Sequence, residues 1–302
     1  MSWQDKYIRD YMIFLKLEKS LSLNSQEAYI SDLNKFFNFL SLQHPGMTPP
    51  DCSLEELRGF TAWIAGLGLS SVSQARIISG LRSFYRYLLL DGIIDSNPAS
   101  LLEAPKTSRK LPDVLTPDEI DQIIRSIDLS MSHGHRNKTI IELLYGCGLR
   151  VSELINLLIS NINLKYNYLR IIGKGDKERL VPLGSLARAS LDSYLQFYRK
   201  PVSAIPGYED YLFLNRFGKS ISRVMVFQLV KSCAKEAGIK KSVSPHTFRH
   251  SFASHLVEGG ADLRAVQELL GHESILTTEI YTHLNREFLV DTIRRFHPRS
   301  GN

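Results

Sequence analysis

Ser244-Pro-His-Thr-Phe-Arg-His250 has the makings of an anion site. Serine followed by proline reads as an N-cap with proline at the first helical position. His246 and Arg249, three residues apart, then share a face of the first turn, where free backbone N–H groups and the positive helix end add to their pull on an oxyanion. The helix carries Phe248, Phe252, Ala253 and Leu256 until Gly259-Gly260 stops it, and Asp262 caps a second helix over 263–270 that Gly271 ends. His272 therefore stands just past a helix C-terminus, and Ser274 opens a short helical run holding Thr277, Thr278 and Tyr281. Upstream, Arg150 stands at a turn into a helix after Gly146-Cys-Gly148, and Lys174 sits in a glycine-bearing turn. Singly, each has an ordinary explanation as a cap, a packed ring or a solvated charge. The chemistry rests on the set.

That set offers cations, hydrogen-bond donors and one phenol. The chain shows no carboxylate cluster able to hold Mg²⁺, no Gly-rich P-loop and no Gly-x-Ser-x-Gly elbow. Attack on a phosphodiester builds negative charge on the non-bridging oxygens of a five-coordinate phosphorus. Without a metal that charge needs fixed donors, and two guanidiniums with bidentate geometry serve best. A tyrosine suits as nucleophile because its phosphate ester stores the energy of the broken bond, so rejoining needs no cofactor. Arg150, Lys174, His246, Arg249, His272 and Tyr281 together fit reversible strand transfer.

Around these residues lie 302 positions, enough for about two domains, with 43% apolar residues to build their cores. No apolar run approaches the roughly 20 residues of a membrane span. The start, Met1-Ser-Trp-Gln-Asp-Lys6, lacks the pattern of a secretory signal. Cys52, Cys147 and Cys233 form neither a disulfide framework nor a zinc pattern. The expectation is a cytoplasmic, metal-free chain, and the net charge of +6 favours a polyanionic partner.

The first hundred residues predict helices, because Tyr7, Ile8, Tyr11 and Leu15, then Tyr29, Leu33, Phe36, Phe37 and Leu40, recur at helical spacing. Ser53-Leu-Glu-Glu56 is a capping box before Leu57, Phe60 and Ile64, and a fourth helix carries Ile77, Leu81, Phe84 and Leu88. Short connections make this a bundle. Arg76, Arg82 and Arg86 on the fourth helix could meet phosphates and base edges in a groove, or form a solvated basic face. Two prolines and the cations Lys106, Arg109 and Lys110 then mark an extended linker over 106–112. DNA affinity should accordingly fall steeply with salt.

Residues 113–302 predict a mostly helical domain. Thr116-Pro-Asp-Glu119 is another capping box, and Arg150-Val-Ser-Glu153 starts a further helix. Residues 168–172 and 179–183 alternate around a glycine-bearing turn, the pattern of a β-hairpin. Residues 211–214 could supply a third strand, and helices are expected over roughly 186–199 and 222–237. The class is mainly α, with one small antiparallel sheet. The closing stripe of Phe288, Leu289, Ile293 and Phe296 has no evident core left to join, so it is expected to dock on a neighbour in a cyclic array, the alternative being to pack on its own domain.

Arg150, Gly173-Lys-Gly175, His246-Thr-Phe-Arg249, Leu270-Gly-His272 and Tyr281 resemble the tyrosine recombinase (integrase) family across the whole second domain. The N-terminal bundle resembles that family's core-binding, SAM-like domain. Tyr145-Gly-Cys-Gly-Leu-Arg-Val-Ser-Glu-Leu154 and Leu269-Leu-Gly-His-Glu-Ser-Ile-Leu-Thr-Thr278 are most similar to the bacterial Xer recombinases, nearer their XerD branch than their XerC branch. The resemblance implies that Tyr281 attacks the scissile phosphate, giving a 3′-phosphotyrosyl bond and a free 5′-hydroxyl. It implies that Arg150 and Arg249 clamp the phosphate, His272 donates to it, Lys174 protonates the leaving 5′-oxygen and His246 assists near Tyr281. Glu153 is implied to orient Arg150. It further implies domains at 1–105 and 113–302, and four protomers on two DNA duplexes. Chromosome dimer resolution at a dif-like site, with a second, XerC-like recombinase and the FtsK translocase, belongs to the same implication.

Three other readings stay open at this level. A type IB topoisomerase shares the chemistry but relaxes DNA with one protomer. A phage or transposon integrase differs in target and accessory domains. A non-catalytic regulator could use residues 261–281 as a helix-turn-helix, which leaves Arg150, Lys174 and Tyr281 without a task.

Overall fold

A computed structural model of the chain describes residues 3–19, 21, 23–106, 113–173, 178–199, 203–271 and 283–300. The chain divides into two compact units, Met1–Lys110 and Leu111–Asn302.

The first unit holds helices α1 (Trp3–Leu17), α2 (Leu23–Gln43), α3 (Leu54–Gly66) and α4 (Ser71–Leu90) among its described residues. Their buried stripes meet in an aromatic core. Phe84 packs edge-on to Tyr7, Tyr11 and Phe37, and Phe36 packs on Phe60. Each such ring removed from water contributes about 1.5–3 kcal/mol. Ser53 and Glu56 form the expected capping box, with the Ser53 N–H donating to Glu56 Oε2 at 2.8 Å.

The arginines of α4 do not share one face. At about 100° per residue Arg76 stands some 120° round the helix from Arg82, whereas Arg82 and Arg86 lie about 40° apart. Arg76 forms a bidentate pair with buried Asp32, holding α4 to α2. Arg82 donates to the Leu102 carbonyl. Arg86 is exposed, as is Lys106 at the start of the linker; Arg109 and Lys110 lie outside the described residues.

In the second unit the described elements begin with α5 (Pro117–Arg125), α6 (Gly134–Gly146) and α7 (Val151–Ile155). The strands β1 (Ile162–Asn163), β2 (Tyr168–Ile172) and β3 (Glu178–Pro182) make an antiparallel sheet in that order, with Leu169 opposite Val181. Helices α8 (Ser185–Ser193), α9 (Arg223–Glu236), α10 (Pro245–Glu258), α11 (Leu263–Leu270) and α12 (His283–Phe296) complete it. α6 is the central helix: residues 139–146 are buried on every side. Two local expectations change. The third strand is Ile162–Asn163, while Tyr211 and Leu214 make only isolated bridges to Leu158 and Ser220. The helix over 185–193 widens into a π-turn, Tyr194–Arg199. There buried Arg199 donates to the Tyr211 and Glu209 carbonyls.

The terminal helix overturns a further expectation. α12 packs on its own unit, with Leu289 and Ile293 buried in the core, Phe296 half-buried against it and only Phe288 exposed. Beyond α12, Arg299 clasps buried Glu142 of α6 through Nε (2.9 Å) and Nη2 (2.5 Å) and also meets Asp121 of α5. An apolar stripe in sequence cannot say whose core it fills. Here the cavity between α10, α11 and β3 takes it.

His297 lies under this clasp, its ring between Tyr145 (4.8 Å between centroids) and Phe252 (5.2 Å). Its Nδ1 accepts from the Arg299 N–H. Burial, then the neighbouring His255 and Arg299, pushes the His297 imidazole down to about 3. In the unfolded chain it titrates near 6.5. Below that pH the unfolded state takes up a proton that the folded state refuses, so stability falls as pH drops from 6.5 toward 3. At pH 5 the loss from this group is about 2 kcal/mol, from roughly 1.4 kcal/mol per pH unit. Urea unfolding at pH 7 and pH 5 should show the second unit losing this much in the wild type and clearly less in His297→Gln. Equal losses in both would clear His297 of the effect.

Candidate active site

Glu153 is the centre of the site. It is 6% exposed and lies at N3 of α7, where Oε2 accepts from the Arg150 backbone N–H at 2.8 Å. The same carboxylate takes Arg150 Nη1 (2.9 Å) and a fork from Arg179, Nη1 at 2.7 Å and Nη2 at 2.8 Å. Arg249 Nη1 comes within 3.9 Å. Burial pushes the Glu153 carboxyl up, but the Arg179 hydrogen bonds and charge and the Arg150 hydrogen bonds outweigh it, holding the group below its ordinary range. Among the described residues, three guanidiniums around one carboxylate make a net charge of +2.

Each guanidinium also holds one carbonyl at the end of α11. Arg179 Nε donates to Leu269 O (3.1 Å), Arg249 Nη2 to Leu270 O (2.5 Å) and Arg150 Nη2 to Gly271 O (3.2 Å). Helix C-termini leave such carbonyls without intrahelical partners, and their partial negative charge suits cations. Asp262 caps the other end, accepting from Arg264 N (2.8 Å) and Ala265 N (3.2 Å). Gly271 closes the helix at φ 63°, in the left-handed region, and a Cβ there would come 3.0 Å from Arg179 Cδ. The chain thus leaves α11 for His272 from a point gripped by three side chains.

Arg249 is carried by α10, capped by Ser244, which accepts from the Thr247 N–H at 3.3 Å. Its Nη1 also donates to Gly148 O at 2.7 Å. Gly148 can come so near because it has φ 58° and no Cβ; an added Cβ would lie 2.5 Å from the Phe252 ring. Burial, then the like charge of Arg150, lowers Arg249 to about 10, so it stays a cation at neutral pH. Of the pair, Arg249 is nearly covered and Arg150 reaches solvent: their side chains are 11% and 37% exposed.

The fold therefore gathers Arg150, Glu153 and Arg249. His246 is exposed on the first turn of α10, one turn before Arg249. Lys174, His272 and Tyr281 lie outside the described residues. Sequence reasoning missed Arg179. Alternation along β3 offered the signal, since Arg179 shares the inward face with Val181, where a charge must find a partner. Among the described residues no group of three or more His, Cys, Asp or Glu side chains could hold a metal ion, and no helix is long and apolar enough to cross a membrane.

The phage integrase family model matches residues 113–287, and that of the phage integrase N-terminal SAM-like domain matches residues 8–92. Tyrosine recombinase XerD of Listeria innocua is 42% identical over 293 residues, 97% of this chain and 99% of that one. Tyrosine recombinase XerD of Staphylococcus aureus is 41% identical over 294 residues, with the same coverage. Among solved structures, XerH site-specific recombinase bound to palindromic difH substrate in a post-cleavage complex matches with TM-score 0.70 at 25% identity, over 95% of this chain and 83% of that one. A lambda integrase dimer bound to a COC′ core site matches in fold with TM-score 0.70 at 19% identity, over 91% and 98%.

Proposed function

The chain belongs to the phage integrase family and is a tyrosine-type site-specific recombinase, and from that premise we propose how its residues divide the work and where it acts. Tyr281 attacks the scissile phosphorus; its phenolic oxygen forms the new P–O bond as the bond to the 5′-oxygen breaks, leaving a 3′-phosphotyrosyl ester. Lys174 gives its proton to the departing 5′-oxygen. Arg150 and Arg249 meet the charge on the non-bridging oxygens, with His272 as a further donor. His246 assists proton transfer near the tyrosine, and Glu153 orients Arg150. Attack by the 5′-hydroxyl of another strand reverses the steps and reseals DNA without a cofactor.

The observation that supports this most is the pair Arg150 and Arg249, joined through Glu153 at the foot of the segment leading to His272. Two fixed cations facing one place suit a substrate whose charge grows in the transition state. The substrate is double-stranded DNA, held by four protomers on two duplexes. Full-length likeness to XerD proteins and the difH complex of XerH favour chromosome dimer resolution at a dif-like site in the cytoplasm. The partners would be a second, XerC-like recombinase and the FtsK translocase.

The test is the wild-type protein on a DNA site carrying a nick beside the cleavage point, in EDTA. A covalent adduct on the 3′ side of the cut is expected, and two-site plasmids should recombine. No adduct would favour a regulator, an adduct on the 5′ side would refute the polarity, and relaxation without recombination would favour a topoisomerase.

A further inference from the structure

Arg179 has the features of a residue that works through others. It is 6% exposed on β3, the strand that begins four residues after Lys174 in the sequence. Its three nitrogens are all engaged: two on Glu153 and one on Leu269 O. It therefore ties together the sheet, the N-terminal turn of α7 and the last turn of α11.

We propose that Arg179 is a positioning residue for strand cleavage, the buried counter-charge that satisfies Glu153 so that Arg150 and Arg249 stay available to a phosphate. This inference rests on the recombinase reading above. Without Arg179, the Glu153 carboxylate would keep Arg150 Nη1 at 2.9 Å and have Arg249 Nη1 at 3.9 Å as the nearest other cation among the described residues. The buried carboxylate would lose both hydrogen bonds of the Arg179 fork and most of its compensating charge, so it would draw Arg249 inward. That movement costs the clamp one guanidinium and loosens the Arg249 grip on Leu270 O. Loss of Arg179 Nε would also release Leu269 O, one of the three carbonyls that fix where the chain departs toward His272. Arg179 thus keeps the clamp charged and aimed without touching DNA. Lysine cannot replace it, because one ammonium cannot form the carboxylate fork and reach Leu269 O in the same plane.

The experiment uses Arg179→Lys and Arg179→Gln in the full chain, with wild type alongside. Wild-type adduct formation tests the recombinase reading; the variants test only this inference. For each variant that unfolds cooperatively near the wild-type midpoint, single-turnover cleavage of the nicked site should fall about tenfold or more, while Kd for the site stays within about threefold. The same assay on DNA with a methylphosphonate at the scissile position removes the charge that the clamp meets. There the variants should lie within about threefold of wild type, because a clamp that has lost charge loses little against a neutral group. A folded variant that cleaves phosphate at the wild-type rate would overturn the proposal. So would an equal loss on both substrates, or failure of both variants to fold, each of which assigns Arg179 to the fold alone.

Discussion

Tyr281→Phe should yield no covalent protein–DNA adduct on the nicked site at any time of incubation, while binding that site as tightly as wild type does. The change removes one oxygen, and in the proposed mechanism that oxygen forms the new ester, so no slower route to the same intermediate is expected. The cations that meet the phosphate remain, which keeps Kd unchanged. Arg249→Ala offers the contrast. In the proposed mechanism its guanidinium supplies charge stabilisation, not a bond, so cleavage should fall about 10²–10³-fold and still be measurable over long incubations. Part of that loss comes from Gly148 O and Leu270 O losing their donor. Gel mobility under denaturing conditions separates the two outcomes: absence of adduct for the phenylalanine, slow accumulation for the alanine. An adduct with Tyr281→Phe would move the nucleophile elsewhere in the chain.

Arg299→Ala is expected to cost the second unit about 3 kcal/mol at neutral pH, the scale for removing one partner of a buried ion pair. Glu142 is 1% exposed and takes two hydrogen bonds from this arginine across a separation of 157 residues. Burial already raises its carboxyl above the ordinary range despite the Arg299 charge. Without that charge the carboxyl should take up a proton on folding, so the loss should shrink as pH is lowered. For a unit of this size the midpoint of thermal unfolding should drop by roughly 6–12 °C. Scanning calorimetry at pH 7 and pH 5 reads both effects. A midpoint unchanged at pH 7 would mean that the clasp of the tail on α6 adds nothing to stability.

The helices and their caps were legible from the sequence because they are decided locally. Ser53 with Glu56, Thr116 with Glu119, and Ser244 before Pro245 satisfy helix N-termini within four residues of themselves. The hairpin of β2 and β3 was legible for the same reason, since alternation over five residues sets which face turns inward. The third strand was not: a short buried run such as Leu212-Phe-Leu214 looks like a strand whether or not a partner lies beside it. Arg76 shows the same limit with charge, because nothing near it in sequence announces Asp32, 44 residues away.

Residue types alone determined that the chain could handle a phosphate: a tyrosine, several fixed cations and an arginine spaced one turn from a histidine. They also determined that the framework would be helical. Tertiary structure decided how the cations are held, through an arginine on a strand, a carboxylate on a short helix and three carbonyls at the end of another, 21 to 121 positions apart. It decided, too, that α12 fills its own unit's core. Local patterns record what a side chain needs. Which distant group meets that need depends on burial and close approach, and those exist only once the chain has packed.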